Sequence, residues 1–368
     1  MSELAKHDKN FSVANTVAIE GIKFHSVKES PFKIYGLYKP LEGKRFVRMP
    51  EDVAKTVNPG VEAFCRHTAG GRVRFSTDSN YIAIRVIRES IELGNKMAAV
   101  GSAGFDLYLD EEGESVFCGC FQPSREEPSF EAVVKFKRAE KKVRNFTINF
   151  PLYNGVDELF VGVDEKAILG EGKSYRHETP IVYYGSSITQ GGCVCRPGLA
   201  YTSIVSRKLD SDFVNLGFAG SGKAEDTIVD YLASLDMSIF VSDYDHNARN
   251  PEYLYPTVRN LYKKVRAANP KLPMVFISRP DFDQLLGVEF SHRDSIERRD
   301  AIYSMYVEAV RAGDDNIYFI DGESLFGAEY REECTVDLCH PNDIGHMRMA
   351  EVIGHTLSKI MRDTELYK

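Results

Sequence analysis

The sequence predicts an α/β protein: a parallel sheet wound with helices over residues 176–368, preceded over residues 1–175 by an all-β domain of sandwich or jelly-roll type. Three observations carry this. Apolar residues alternate with a period of two in the first half, as half-buried strands require. In the second half short apolar runs alternate with helical patterns, as a parallel sheet with right-handed crossovers requires. The glycine-punctuated stretch Leu169-Gly170-Glu171-Gly172-Lys173 divides the two regimes.

In the first half, Val73 and Phe75 alternate with polar neighbours, and Ile82, Ile84 and Val86 alternate with Tyr81, Ala83 and Arg85. Phe130, Ala132, Val134 and Phe136 form one face of a further strand. Phe146, Ile148 and Phe150 repeat the pattern, as do Leu159, Val161 and Val163. Ala69-Gly70-Gly71, Asp78-Ser79-Asn80, Glu111-Glu112-Gly113 and Asn154-Gly155 supply turns between them. A short helical turn is expected near Glu51–Val57, and no long helix before residue 175. In the second half, strands are expected over 181–184, 213–216, 237–242, 274–278 and 316–320. Helices are expected over 200–209, 224–235, 257–268, 295–312 and 344–361.

The 46 Lys and Arg against 54 Asp and Glu give a net charge of -8, which argues against nucleic acid and against an anionic membrane surface as partners. Lys135-Phe136-Lys137-Arg138 and Lys141-Lys142 read as a solvated hairpin end. The seven cysteines are odd in number and lack the Cys-x-x-Cys spacing of a zinc site. Free thiols, a polar start and no run of ~20 apolar residues lead us to expect a cytoplasmic protein without a metal or other cofactor. A homo-oligomer is left open.

The chemistry centres on Pro180-Ile181-Val182-Tyr183-Tyr184-Gly185-Ser186-Ser187-Ile188-Thr189. An apolar strand stops at a glycine and presents two serines, where open α/β sheets bind ligands. Such serines suit either a nucleophile or a helix N-cap. The Gly-x-Ser-x-Gly elbow of α/β-hydrolases is absent. Far downstream stands Asp337-Leu338-Cys339-His340-Pro341. A carboxylate three residues before a histidine can fold back onto one ring nitrogen and free the other to take a proton from serine. The plainer alternative is that Asp337 caps a helix and His340 packs. His346, inside the helical pattern, reads as structural. Two further strand ends, Asn215 to Gly220 and Asp243-Tyr244-Asp245-His246-Asn247, offer backbone and side-chain donors for an oxyanion.

On these residues the second half resembles the SGNH (GDSL-type) hydrolase family, which implies a flavodoxin-like sheet and a serine esterase. The resemblance makes Ser187 the nucleophile, His340 its base and Asp337 the partner of that base. The Ser187 and Gly220 N–H groups and the Asn247 amide become the oxyanion donors. Ser186 departs from the family's usual Asp, and Asp-His-Asn-Ala departs from Gly-x-Asn-Asp. Gly104-Phe105-Asp106-Leu107-Tyr108 is similar to the Gly-x-Asp-Leu-Tyr signature of a β-domain that precedes some SGNH esterases. On chemistry alone, Leu107 and Tyr108 are core. The pairing implies a short acyl group, acetyl, on a sugar or oligosaccharide, with a lipase- or thioesterase-like activity as the alternative. Arg279, Asp281 and Phe282, after the fourth strand, are candidate sugar contacts. Gly217 to Ala224 mimics a P-loop but has Ala224 where a hydroxyl should bind magnesium, so nucleotide binding is a minor alternative. A carbohydrate-binding module attached to an inactive hydrolase is a third.

Overall fold

Period-two segments of the first half pair into two antiparallel sheets. The computed structural model describes residues 7, 16–111, 113–137, 141–280 and 292–364. One sheet has the order β1 (Ile22–Ser26), β9 (Glu158–Asp164), β4 (Tyr81–Ile87), β7 (Phe130–Lys135). The other runs β10 (Leu169–Glu171), β3 (Arg72–Thr77), β8 (Arg144–Asn149), β5 (Phe105–Glu111), β6 (Glu114–Phe121), with β2 (Lys33–Tyr35) also on β3. The alternating apolar residues meet between the sheets. Val73, Phe75, Phe146 and Ile148 face Ile82, Ile84, Val161 and Val163 in one buried cluster. The result is a β-sandwich.

Two short helices, α1 (Glu51–Val57) and α2 (Pro59–Phe64), and a third, α3 (Ala99–Ala103), interrupt the strands. Only the first was expected. The others have six and five residues, too few to display a helical period.

Beyond residue 176 the chain builds a parallel sheet of order β12 (Ser211–Gly217), β11 (His177–Gly185), β13 (Ile239–Asp243), β14 (Met274–Ile277), β15 (Ile317–Ile320). In chain order this is 2-1-3-4-5, the flavodoxin-like arrangement, whose switch point lies beyond the ends of β11 and β13. Strand β11 is four residues longer at its start than the apolar run. Its polar opening, His177-Glu178-Thr179, reaches Ser211 on β12 before a register shift.

Helices cover both faces. Alternate β11 residues serve opposite cores: Val182 and Tyr184 lie with α6 (Asp226–Ala233), α7 (Pro251–Ala268) and α8 (His292–Arg311). Ile181 and Tyr183 lie with α5 (Tyr201–Leu209) and α9 (Asp343–Asp363). Burial on both sides is why this strand reads as an unbroken apolar run. In α9, Met349, Ile353, Leu357 and Ile360 give one apolar stripe. Among the described residues no helix is long and apolar enough to cross a membrane.

The β-sandwich docks along β12, the edge of the parallel sheet. Arg72 donates to the Phe213 carbonyl at 3.2 Å and pairs with Asp212. Fully buried Arg48 donates to the Asn215 and Gly217 carbonyls at 3.0 and 2.6 Å. Three alternate carbonyls on the open side of β12 are thereby satisfied by guanidinium groups.

Candidate active site

Strand β11 ends at Gly185 and turns at once into α4 (Ser187–Gln190). A side chain at Gly185 would strike the Asp243 carbonyl and Thr189, so the turn requires glycine. Ser186 caps α4 through Oγ, which accepts from the Ile188 N–H at 3.1 Å. An oxygen acceptor at this position does the job open to the aspartate it replaces. The two serines thus divide the roles left open by the sequence: Ser186 is buried as a cap, and Ser187 faces the histidine.

Ser187 Oγ lies 2.9 Å from His340 Nε2, and His340 Nδ1 lies 2.9 Å from Asp337 Oδ2. Asp337 Oδ1 accepts the His340 and Cys339 N–H groups at 2.7 and 3.1 Å. This local turn sets Leu338 at φ +66°, a conformation unfavourable for a branched side chain. Burial raises the Asp337 carboxyl, but hydrogen bonds from Lys96 and His340 outweigh it and hold it well below the usual range.

Next to the serine, the Ser187 and Gly220 N–H groups have no acceptor among the described residues. Gly220 has φ +61°, and a Cβ there would meet open space. The Asn247 amide nitrogen donates to the Phe218 and Gly222 carbonyls at 2.9 and 3.1 Å, so it braces the turn that carries Gly220.

His346 is fully buried: Nδ1 accepts from the Tyr201 N–H and Nε2 donates to the Gly192 carbonyl. Burial lowers it to about 4, so it holds neutral packing near neutral pH. Arg279 is 4% exposed; its guanidinium reaches Asp294 and Ser295 at 2.7 and 2.8 Å. It therefore ties the β14 end to α8. Asp281 and Phe282 lie outside the described residues. In the stretch that mimics a P-loop, the Ala224 N–H is taken by the Tyr184 hydroxyl and α6 starts only at Asp226. A phosphate cradle instead needs free amides opening directly into a helix.

Residues 178–358 match the GDSL-like lipase/acylhydrolase family, and residues 22–169 match the GxDLY family, the N-terminus of SGNH-hydrolase-type esterases. The chain is a two-domain member of the GDSL-type hydrolases. Its fold is similar to that of a protein from Bacteroides ovatus described as a GDSL-like lipase (27% identity, TM-score 0.83, 93% of this chain and 98% of that one). It is also similar to a salicylyl-acyltransferase from a tetracycline biosynthetic pathway (17% identity, TM-score 0.74, 93% and 98%). An acetyl xylan esterase from Butyrivibrio proteoclasticus shares 12% identity at TM-score 0.54, over 94% of this chain and all of that one. A comparison with curated proteins gives no match.

In this GDSL-type hydrolase the β-sandwich also reaches the serine loop, which sequence reasoning missed. The Tyr153 hydroxyl donates to the Ser187 carbonyl at 2.9 Å. Gln190 Nε2 donates to the Leu152 carbonyl at 3.0 Å and lies 3.1 Å from His67 Nδ1, while its Oε1 accepts the Ala219 N–H. The Gly-x-Asp-Leu-Tyr residues split by strand alternation. Phe105 and Leu107 enter the sandwich core. Asp106 and Tyr108 face the hydrolase domain: Asp106 accepts the Gly198 N–H at 2.7 Å and Arg196 at 3.1 Å. Tyr108 is buried, as expected, but at the domain junction, where Arg196 contacts its hydroxyl. No motif marked Arg196, Tyr153 or Gln190. The alternation of β5 carried the signal for Asp106, a charge on a strand buried on both faces.

Asp243 lies beneath the nucleophile turn, fully buried, accepting from the Thr189 and Tyr201 hydroxyls at 3.2 Å each. Burial pushes its carboxyl up to about 7. The folded state then holds a proton that the unfolded chain releases near its ordinary value. The Asp243 contribution to stability is expected to fall as pH rises from about 4 to 7, by up to about 1.4 kcal/mol per unit, and to level off above, while the buried histidines His67, His246 and His346, whose ring pKa values are lowered, contribute the opposite slope. Chemical denaturation across that range should show the stability difference between the wild type and Asp243→Asn falling with that slope as pH rises; a pH-independent difference would reject it.

Proposed function

We propose that the protein is a serine esterase that removes short acyl groups, acetyl above all, from carbohydrate. The hydrogen-bonded row Ser187–His340–Asp337 carries this reading. His340 Nε2 takes the Ser187 proton as Oγ attacks the ester carbonyl, and Asp337 holds the ring and steadies its positive form. The oxyanion is received by the Ser187 and Gly220 N–H groups, and the Asn247 amide, the third donor expected from the sequence, instead holds the turn that carries Gly220. The alcohol departs with the proton from His340. Water, deprotonated by the same nitrogen, then attacks the acyl-enzyme and releases the acid. Two observations bear on the substrate: the two-domain likeness to an acetyl xylan esterase, and the acidic overall charge, which suits a neutral sugar better than a polyanion.

A second reading, hydrolysis of less polar esters, is favoured by one observation. Tyr330, Val336, Leu338, Ile344 and Met347 are all at least 40% exposed and flank the His340 segment in sequence. Acetate release from acetylated xylo-oligosaccharides, run beside p-nitrophenyl esters of two to eight carbons, separates the two. Acetyl esters should be turned over fastest and acetylated sugars at lower KM than the nitrophenyl ester. Faster turnover of the longest chains would favour the second reading. No turnover together with no fluorophosphonate labelling would sink both.

A further inference from the structure

The β-domain sends one charged side chain to the triad itself. Lys96 Nζ donates to Asp337 Oδ2 at 2.8 Å, the same oxygen that engages His340 Nδ1. The two residues lie 241 positions apart and belong to different domains. We propose that Lys96 is a positioning residue of the triad, one that orients Asp337 and adds a fixed positive charge beside His340. The proposal rests on the serine-esterase reading and deepens it.

The lysine stands on a braced segment. It lies in the stretch just before α3, which Asn154 holds through the Glu92 N–H at 2.8 Å and through the Glu92 and Ser102 carbonyls at 2.8 and 3.0 Å. Tyr153, the chain neighbour of Asn154, donates to the Ser187 carbonyl. At Gly101, within α3, a Cβ would overlap the Val194 carbonyl of the other domain. Lys96 is therefore delivered by a closely docked surface and not by a free arm. With it, Asp337 accepts four hydrogen bonds, two on each oxygen.

Burial keeps the neighbouring thiols and histidines neutral near pH 7. Burial lifts the Cys193 and Cys339 thiols to about 11. Burial also takes His246, from the loop after β13, well below its usual range, and His346, from α9, to about 4. Arg279, behind His246 and Cys339, is charged but engaged with Asp294. Among the described residues Lys96 is the cation in contact with Asp337. An exposed ion pair stabilises a fold little. Its effect belongs to the chemistry: it restrains the carboxylate, and its charge opposes the imidazolium that forms during turnover.

The test is a set of kcat/KM–pH profiles on p-nitrophenyl acetate for the full chain and for Lys96→Met, Lys96→Arg and Lys96→Glu. Ser187→Ala serves as the activity control and thermal unfolding as the folding control. Lys96→Met should lower kcat several-fold with little change in KM. It should move the acid limb to higher pH by about half a unit, because the imidazolium is no longer opposed. Lys96→Glu should move it further, and Lys96→Arg should return it towards the wild type. An acid limb unmoved in Lys96→Met, or moved as far by Arg as by Met, overturns the proposal. Should Ser187→Ala retain activity, the esterase reading itself falls, which is a separate result.

Discussion

Ser187→Ala is expected to lower ester hydrolysis on the order of 10³–10⁶-fold and to abolish fluorophosphonate labelling. The residue forms the covalent bond in the proposed cycle, and no neighbour stands in for it. Ser186 is fully buried with its hydroxyl committed to the Ile188 N–H, so it has no path to the ester. His340→Ala should cost about as much, and the double variant little more, because the pair acts as one unit. The substitution removes a half-buried hydroxyl, so the unfolding midpoint should stay put. Steady-state turnover, labelling and thermal unfolding on one preparation check all three statements. Near wild-type turnover in Ser187→Ala would reject the assignment.

Asp106→Ala is expected to reduce stability by about 3–5 kcal/mol. The carboxylate is fully buried and takes hydrogen bonds from Asn149, from the Gly198 N–H and from Arg196. Truncation leaves the Asn149 amide and the Gly198 N–H without this acceptor at the junction of the domains, and leaves Arg196 with the Tyr108 hydroxyl but no carboxylate. Esterase activity should decline at lower urea than in the wild type, since the serine loop leans on the same junction through Tyr153. Urea unfolding followed by fluorescence and by activity measures both. Unchanged midpoints would mean that the signature residue is not a docking element.

The all-β first half and the parallel α/β second half were legible because both bury large apolar areas with clean periods, whereas the flavodoxin-like order of the parallel sheet came only from the family resemblance. Ser187, Asp337 and His340 stood out as a set because each follows or precedes a marked structural boundary. Lys96, Tyr153 and Gln190 could not be read that way. Their meaning depends on which surface of one domain meets the other, and no local period records that. Arg48 and Arg279 illustrate the same limit. In sequence Arg48 is an ordinary charge near a proline and Arg279 a candidate sugar contact, yet both are buried, held by backbone carbonyls or by α8. The start of β11 was missed for a simpler reason: its polar residues pair at the edge of the core and carry no hydrophobic signal.

The arginine-capped edge of β12 has a consequence for how this architecture persists. An open strand with three unsatisfied carbonyls is a template on which another chain can add, the usual route to sheet-to-sheet aggregation. Here the second domain closes that edge with guanidinium groups, which accept no further strand. The β-domain thereby occupies the one side of β12 that β11 leaves open, so the parallel sheet does not present that edge to another strand.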